Sequence, residues 1–517
     1  MQTIQGILDA SFRAIADLVR THAAQRPRHA ALVHGARVLD YAGLDALMDR
    51  VAASLQRDGL RPEDAIAICA GTSIEYAAVF LGALRAGIAV APLAPTSTAQ
   101  SLAAMVADAG AKLLFLDAAT SETLALVRGS IAPQCIALDA DSFGAWLAAE
   151  GARPEAVEVE PQWAFNIIYS SGTTGAPKGI VQSHAMRWGY LQRAVPYGYG
   201  PETVTLLATP LYSNTTLVSF FPTVAMGGSA VLMGKFDAAA YLALAAQHRA
   251  THTMLVPVQY QRLMALADFG RCDLRSFRFK FCTSAPFSAG LKADILARWP
   301  GALVEFYGLT EGGGSCVLAA HEHPDKLHTV GRPAPGHDIR LIDEQGREGA
   351  AGEAGEVVGR SPVMMSGYHN QPALTAQAQW FDGEGRRYIR SGDIGRFDAD
   401  GFLTLLDRKK DLIISGGFNL YPSDLESVLG EHPEVAEAAV VGVPSARWGE
   451  TPVAFVVLAT GSAATAAQLL AWANGRLGKM QRLDAVELLD RLPRNAMGKV
   501  MKRELREAWR ERAGPLA

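Results

Sequence analysis

Apolar and polar positions follow two alternating rhythms over the first part of the chain. Across residues 41–56, Leu44, Leu47, Val51 and Leu55 recur every three or four residues, the spacing of a helix with one buried face. Residues 65–69 form a short unbroken apolar run, the pattern of a strand covered on both sides. Residues 76–85 are helical again and 88–92 return to strand. The same alternation recurs at 112–116, at 163–168 and through 230–256. This rhythm predicts parallel strands joined by crossover helices. No short-period repeat is present, which argues against a solenoid.

Residues 203–234 carry no charged side chain, but Pro210, Ser213, Asn214, Thr215, Thr216, Pro222 and Gly227-Gly228 interrupt them. A membrane-spanning helix needs about 20 predominantly apolar residues, so buried strands and helices around an active site are expected. After about residue 330 the texture changes to short strands punctuated by Gly and Pro (GEVVGRS, RRYIRSGDIGRF, GFLTLLDR). They predict a small β-barrel-like subdomain. Strand, helix and strand patterns follow Arg408, behind the charged junction Lys409-Lys410-Asp411. The expected architecture is α/β. Residues 1–409 form a large N-terminal domain of stacked α/β sheets, its β-rich subdomain at 330–409, and 410–517 form a small mobile α+β domain.

Composition narrows the class. A chain of 517 residues is too long for one ordinary core, and its net charge of −4 shows no basic bias, which argues against nucleic acid as the main partner. The five cysteines are scattered without a C-x-x-C pair, which fits reduced, structural thiols. The first residues lack a basic stretch ahead of a sustained apolar core, so no secretory signal is read and a cytoplasmic location is expected. A homodimer stays open.

The chemistry begins at YSSGTTGAPKG, residues 169–179, directly after an apolar strand pattern. Its glycines allow tight turns and close approach of the backbone to a ligand. Ser170, Ser171, Thr173 and Thr174, with exposed N–H groups around Gly172 and Gly175, can surround phosphate oxygens, and Lys178 adds positive charge. This is not the Walker pattern, because Lys178 is followed by Gly179 rather than Ser or Thr.

Further motifs follow in order: TPLYSN at 209–214, YGLTE at 307–311, SGD at 391–393, DRKKDLIISGG at 407–417 and PRNAMGK at 493–499. The ordered set resembles the adenylate-forming enzymes, which include acyl-CoA synthetases, peptide adenylation domains and luciferases. It is closest in pattern to the acyl-CoA synthetases, and the resemblance spans residues 13–508. It implies that ATP and a carboxylic acid form an acyl-adenylate with release of pyrophosphate, and that the acyl group then passes to CoA. Lys499 is implied as the mobile catalytic lysine, Glu311 beside Thr310 as the Mg²⁺ ligand, and the glycine-rich loop as the β/γ-phosphate binder. Ser284, Ala285, Pro286, Tyr307 and Gly308 are implied at the adenine, Asp393 and Arg408 at the ribose. Lys410 matches the hinge about which the C-terminal module rotates. Gly416 and Gly417 match the pantetheine tunnel, and Trp448 matches an aromatic that packs on the CoA adenine, although a lone tryptophan fits a core equally well. The basic side chains of the helix expected at 501–512 read as a solvated face.

Three departures from the family pattern matter. Ser284-Ala285-Pro286 stands where relatives often have Gly-Ala-Pro. Tyr212-Ser213 replaces an aromatic–His pair, so the acyl gate is built differently. Gln481-Arg482-Leu483 replaces Lys-x-Pro, which leaves Arg482 to meet a CoA phosphate and keeps an amide ligase or a carrier-protein-loading ligase open as alternatives. A nucleotide-binding protein without catalysis is the remote alternative. The expected acyl wall is Tyr212, Asn214, Val256, Val258, Gly312, Gly313 and Gly314. All are uncharged, which suits an apolar or aromatic acid, and the glycines leave room for a bulky one. Arg262, a candidate clamp for a second carboxylate, falls in a helical pattern and reads as structural.

Overall fold

In a computed structural model, residues 6, 9–125, 127–170, 178–350, 352–415, 418–445, 447–495 and 498–513 are described. The helical pattern at 41–56 becomes helix Tyr41–Arg57, with Leu44, Met48, Val51 and Leu55 on its buried face. Asp40 caps it by accepting a hydrogen bond from the Gly43 N–H. Strand Ala65–Cys69 is buried along its whole length and is flanked in parallel by Ala89–Pro92 and Ala111–Leu116. Covered on both faces, it has no polar side to alternate with.

The chain divides into two compact units, Met1–Asp338 with Gly359–Ile389, and Ile339–Val358 with Arg390–Ala517. The first holds a nine-stranded and a seven-stranded sheet, both mainly parallel. The uncharged stretch is built into the larger sheet. Strands Val204–Leu207 and Ser229–Leu232 lie side by side there, with the buried helix Asn214–Ala225 between them in sequence. At twelve residues that helix is well short of the roughly 20 a span requires. No helix among the described residues is long and apolar enough to cross a membrane.

The chain enters the second unit at Ile339, returns to the first at Gly359 and passes into the second for the last time within strand Arg387–Phe397. Its first residues pair with Gln379–Phe381 and its later ones with Leu403–Arg408. The second unit then forms a sheet in the order Phe418–Leu420, Ile413–Ser415, Gly449–Leu458, Val435–Ser445, with Ala485–Leu488 parallel to Gly449–Leu458. Helices Pro422–Gly430 and Ala466–Asn474 supply Leu425, Leu429, Leu469 and Ala473 to its core. This is the mixed α/β architecture expected, a large N-terminal part and a small C-terminal one. All five cysteines carry free thiols, and burial pushes those of Cys69 and Cys316 up to about 12.

Candidate active site

Strands Ala164–Ser170 and Lys178–Ser183 form an antiparallel hairpin. Phe165, Ile167, Ile168 and Ile180 bury it, and its register sets Ser170 opposite Lys178 and Tyr169 opposite Gly179. Ser171, Gly172, Thr173, Thr174 and Gly175 lie outside the described residues. Gly179 is required by packing. A Cβ there would come within 2.8 Å of Ile167 Cγ2, 3.1 Å of Tyr169 Cε1 and 3.2 Å of His369 Cβ. The Tyr169 hydroxyl donates to Asp108 Oδ2 at 2.6 Å, which anchors the strand end.

The short strand Gly367–Tyr368 pairs with the second arm of this hairpin and supplies a residue that motif reading missed. Lys178 Nζ lies 6.0 Å from the centroid of the Tyr368 ring, and the Tyr368 hydroxyl donates to Glu311 Oε1 at 2.8 Å. Burial, then the Glu311 charge, pushes the Tyr368 phenol far above its usual range. Tyr368 therefore stays a protonated donor. Main-chain bonds fix the neighbours. The Met365 N–H donates to the Glu311 carbonyl at 2.8 Å, and Gln182 Nε2 to the Thr310 carbonyl at 2.7 Å. No lysine, arginine or histidine among the described residues forms an ion pair with Glu311. Its carboxylate is a hard oxygen donor, joined through Tyr368 to the neighbourhood of Lys178. The only sequence signal for Tyr368 was an aromatic in a Gly-punctuated segment.

Ser284 adopts φ +81°, the left-handed region where glycine is at ease. That accounts for the glycine common at this position in relatives. Its hydroxyl is hydrogen-bonded to Thr215 Oγ1 at 2.6 Å. Ala285 and Pro286 follow it, the first partly exposed and the second exposed. Tyr307 and Gly308 lie on strand Ala302–Leu309, with Tyr307 opposite Cys316.

Among the acyl-wall candidates, Tyr212 is half-buried, and Ser213 caps helix Asn214–Ala225 through its side chain. That capping role suits the residue in place of histidine. Asn214 Oδ1 accepts from Arg187 Nη2 at 2.9 Å. Val256 is buried just ahead of helix Pro257–Met264, Val258 is partly exposed within it, and Arg262 is exposed on it. Gly312 and Gly313 adopt φ +78° and +74°. A Cβ at Gly312 would overlap the Val363 carbonyl oxygen, and one at Gly313 would lie 3.0 Å from both the Gly359 oxygen and Ile389 Cβ. The space at these two positions is taken up by the protein's own backbone and is not left for a bulky acyl group. Gly314 continues the same strand, Gly312–Ala319.

The second unit gathers another set. Arg408 pairs opposite Asp393 in the sheet, and its Nε lies 3.1 Å from Asp393 Oδ1. Lys499 is half-buried in a tight turn. Its N–H donates to Asn495 Oδ1 at 2.9 Å, and its carbonyl accepts from the Asn495 N–H at 3.0 Å. Burial, then the Arg408 charge, lowers the lysine to about 8, against the pull of Asp393. Lys410 lies in the one-turn 3₁₀ segment Lys409–Asp411. Trp448 is 40% exposed under the Arg447 guanidinium at 4.6 Å, which removes the core alternative, and Arg482 is exposed. Gly416 and Gly417 lie outside the described residues.

The AMP-binding enzyme model matches residues 19–369, and the model of the AMP-binding enzyme C-terminal domain matches 424–499. The chain belongs to the AMP-binding enzyme family. It is 33% identical to a feruloyl-CoA synthase of an Amycolatopsis species over 489 residues, covering 93% of this chain and 96% of that one. It is 32% identical to an indoleacetate–CoA ligase of Aromatoleum aromaticum over 511 residues, covering 95% and 98%. Its fold matches ATP-bound MatB from Rhodopseudomonas palustris with a TM-score of 0.86 at 31% identity, covering 96% of this chain and 100% of that one. An amide bond synthetase from Marinactinospora thermotolerans matches with a TM-score of 0.85 at 29% identity, covering 96% and 99%. This AMP-binding enzyme is an ATP-dependent ligase of the acyl-CoA synthetase type, with amide synthetases among its structural neighbours.

Proposed function

We propose that the chain activates a carboxylic acid as its adenylate and hands the acyl group to CoA, with the roles divided between the two residue sets just described. The observation that carries this reading is the hydrogen-bonded linkage of Glu311 to Tyr368 beside Lys178, matched in the second unit by Asp393, Arg408 and Lys499. Lys178 holds the leaving pyrophosphate half of ATP. Glu311, with one oxygen occupied by Tyr368, has one left to offer to a cation. A lone hard carboxylate fits Mg²⁺, which completes its shell with water and substrate phosphates. Bound there, the metal would neutralise charge on the phosphate oxygens.

Asp393, an acceptor-only carboxylate, holds the ribose hydroxyls, and Arg408 orients it. Lys499 brings its ammonium to the developing charge as the carboxylate oxygen attacks the α-phosphorus and pyrophosphate leaves. Tyr307 and the 284–286 segment flank the adenine. For the second step, residues 410–517 rotate about Lys410, and Trp448, Arg482, Gly416 and Gly417 receive CoA. Attack of the thiol then releases AMP and leaves a thioester. Relatives named for feruloyl and indoleacetate substrates favour an aromatic-compatible pocket. The amide bond synthetase likeness keeps an amine acceptor as the second reading.

The test is acid-dependent pyrophosphate release from the purified chain with ATP and Mg²⁺, followed by mass spectrometry with and without CoA. Thioester formation is expected. Amide product with amines and no thioester would move the acceptor to nitrogen, and ATP binding without AMP formation would sink the catalytic reading.

A further inference from the structure

Helix His184–Arg193 carries two guanidinium groups that lack a counter-ion. Arg187 is only 2% exposed and Arg193 half-buried. Neither has a carboxylate within ion-pair distance among the described residues. The partners of Arg187 are neutral: Asn166 Oδ1 accepts from its Nε at 3.3 Å and its Nη2 at 3.4 Å, and Asn214 Oδ1 from its Nη2 at 2.9 Å. Aromatic rings enclose it, with the centroids of Phe165, Tyr190 and Phe221 at 5.6, 5.7 and 5.7 Å. The Arg193 guanidinium shares the Tyr190 ring at 5.6 Å.

A desolvated cation without an anion is costly, and buried polar groups are normally satisfied. The buried Nη1 atoms of Arg187 and Arg193 have no partner, nor do Asn166 Nδ2 and, around them, Trp188 Nε1, His184 Nε2 and the acceptor Gln182 Oε1 opposite Asn166. Two guanidinium donors without a partner call for an acceptor that carries negative charge. Burial lowers Arg187 to about 10, which leaves it charged at neutral pH. His337 faces the same region with its Nδ1 accepting from the Ser315 N–H at 2.9 Å. Burial, then the Arg193 charge, lowers it to about 4, so it adds no competing charge.

The position of the cluster identifies the ligand. Arg187 grips Asn214, the first residue of the helix that follows Tyr212, and the next residue, Thr215, bonds Ser284 on the adenine side. Arg187 is thus bonded directly to Asn214, one of the candidate acyl-wall residues. We propose that the acid this enzyme activates carries a second carboxylate, which Arg187 and Arg193 receive across the Tyr190 ring while the first is adenylated. The clamp for a second carboxylate is then not Arg262 but a pair of arginines on a different helix. This inference rests on the proposed ligase function.

The test is pyrophosphate release by the full chain with ATP and Mg²⁺, using matched acid pairs: octanedioate against octanoate, hexanedioate against hexanoate, and benzene-1,4-dicarboxylate against benzoate. At least one diacid is expected to exceed its monoacid in kcat/KM by 10-fold or more. Arg187→Met should lower that diacid by roughly 100-fold and leave the monoacid unchanged or improved. Arg193→Gln, at a half-buried site, should do the same by about 10-fold and serves if Arg187→Met fails to fold. Turnover of monoacids alone, or parallel loss of mono- and diacid turnover in Arg193→Gln, would overturn the second-carboxylate site and leave the ligase reading standing. Silence with every acid would overturn both.

Discussion

Burial and the Arg408 charge lower Lys499 from 10.5 to about 8, which leaves it largely an ammonium at neutral pH. Between those two values the unfolded chain holds the lysine's proton more tightly than the folded one. This group's contribution to stability therefore rises with pH from about 8 to 10.5. Activity runs the other way: kcat/KM for ATP in pyrophosphate release should fall as pH rises above about 8. Lys499→Arg should abolish that limb, whereas Lys499→Ala should lower the rate by about 10²–10³ below about pH 8, with the deficit narrowing above it. A limb that persists in Lys499→Arg would assign it to another group. Tyr368→Phe removes one hydrogen bond to a charged carboxylate, so a loss of about 10-fold in kcat/KM for MgATP is expected, with the melting temperature little changed. An unaltered rate would make Tyr368 a packing residue. Glu311, Asp393, Arg408 and Lys499 could be named as candidates from the sequence because each stands within a recognisable motif. Tyr368 could not, since its hydroxyl meets Glu311 from a two-residue strand, and neither could Arg187 and Arg193, whose lack of counter-ions appears only after folding.

Elements were legible where burial alone decides them. The helix expected at 76–85 forms as Ile74–Arg85 and the strand at 65–69 as Ala65–Cys69, because periodicity and apolar runs encode burial directly. The basic segment near the C-terminus was harder, since charge says nothing of its partners. Helix Lys502–Ala513 is not simply a solvated face. Leu505 is buried, Lys502 pairs with Glu426 at 2.8 Å, and Arg506 reaches the buried Asp411 at 2.8 Å. Arg506→Ala would strand that carboxylate, and a loss of about 1–3 kcal/mol in denaturant unfolding is expected. A change below about 0.5 kcal/mol would make the pair an ordinary surface contact. At the hairpin, Gly179→Ala must push Ile167, Tyr169 or His369 aside. It should cost about 1–3 kcal/mol and weaken ATP binding through the displaced Lys178. Stability lost with ATP affinity intact would separate the hairpin's packing from the loop's grip on phosphate.

At the scale of the whole molecule, the two reactions make conflicting demands on one site. In the proposed reaction, Lys499 reaches the α-phosphate while the adenylate forms, and the thiol reaches the acyl carbonyl beside it once pyrophosphate has gone. Lys178 and Glu311 belong to the first compact unit, whereas Asp393 and Arg408 stand before the proposed pivot and Lys499 after it, so the proposed changeover would part Lys499 from Asp393 and Arg408. The proposed pivot, Lys410, lies in a segment of only three residues, Lys409–Asp411. Lys409 and Arg390 hold Glu356 on one side of it, and Asp411 holds Arg506 on the other. Rotation must therefore be absorbed by few backbone torsions. Proline fixes φ near −65° and lacks an N–H, so Lys410→Pro restrains that position while leaving every catalytic side chain in place. Adenylation, read as pyrophosphate release in a single turnover, should stay within about 3-fold of wild type, whereas transfer of the preformed adenylate to CoA should slow by at least about 10-fold. Equal slowing of both steps would mean that proline damages the fold, and Lys410→Ala, which frees the torsion without unfolding the segment, would then be expected to retain both. If transfer remains fast in Lys410→Pro, the pivot is not at this residue and the changeover must be taken up elsewhere in the second unit.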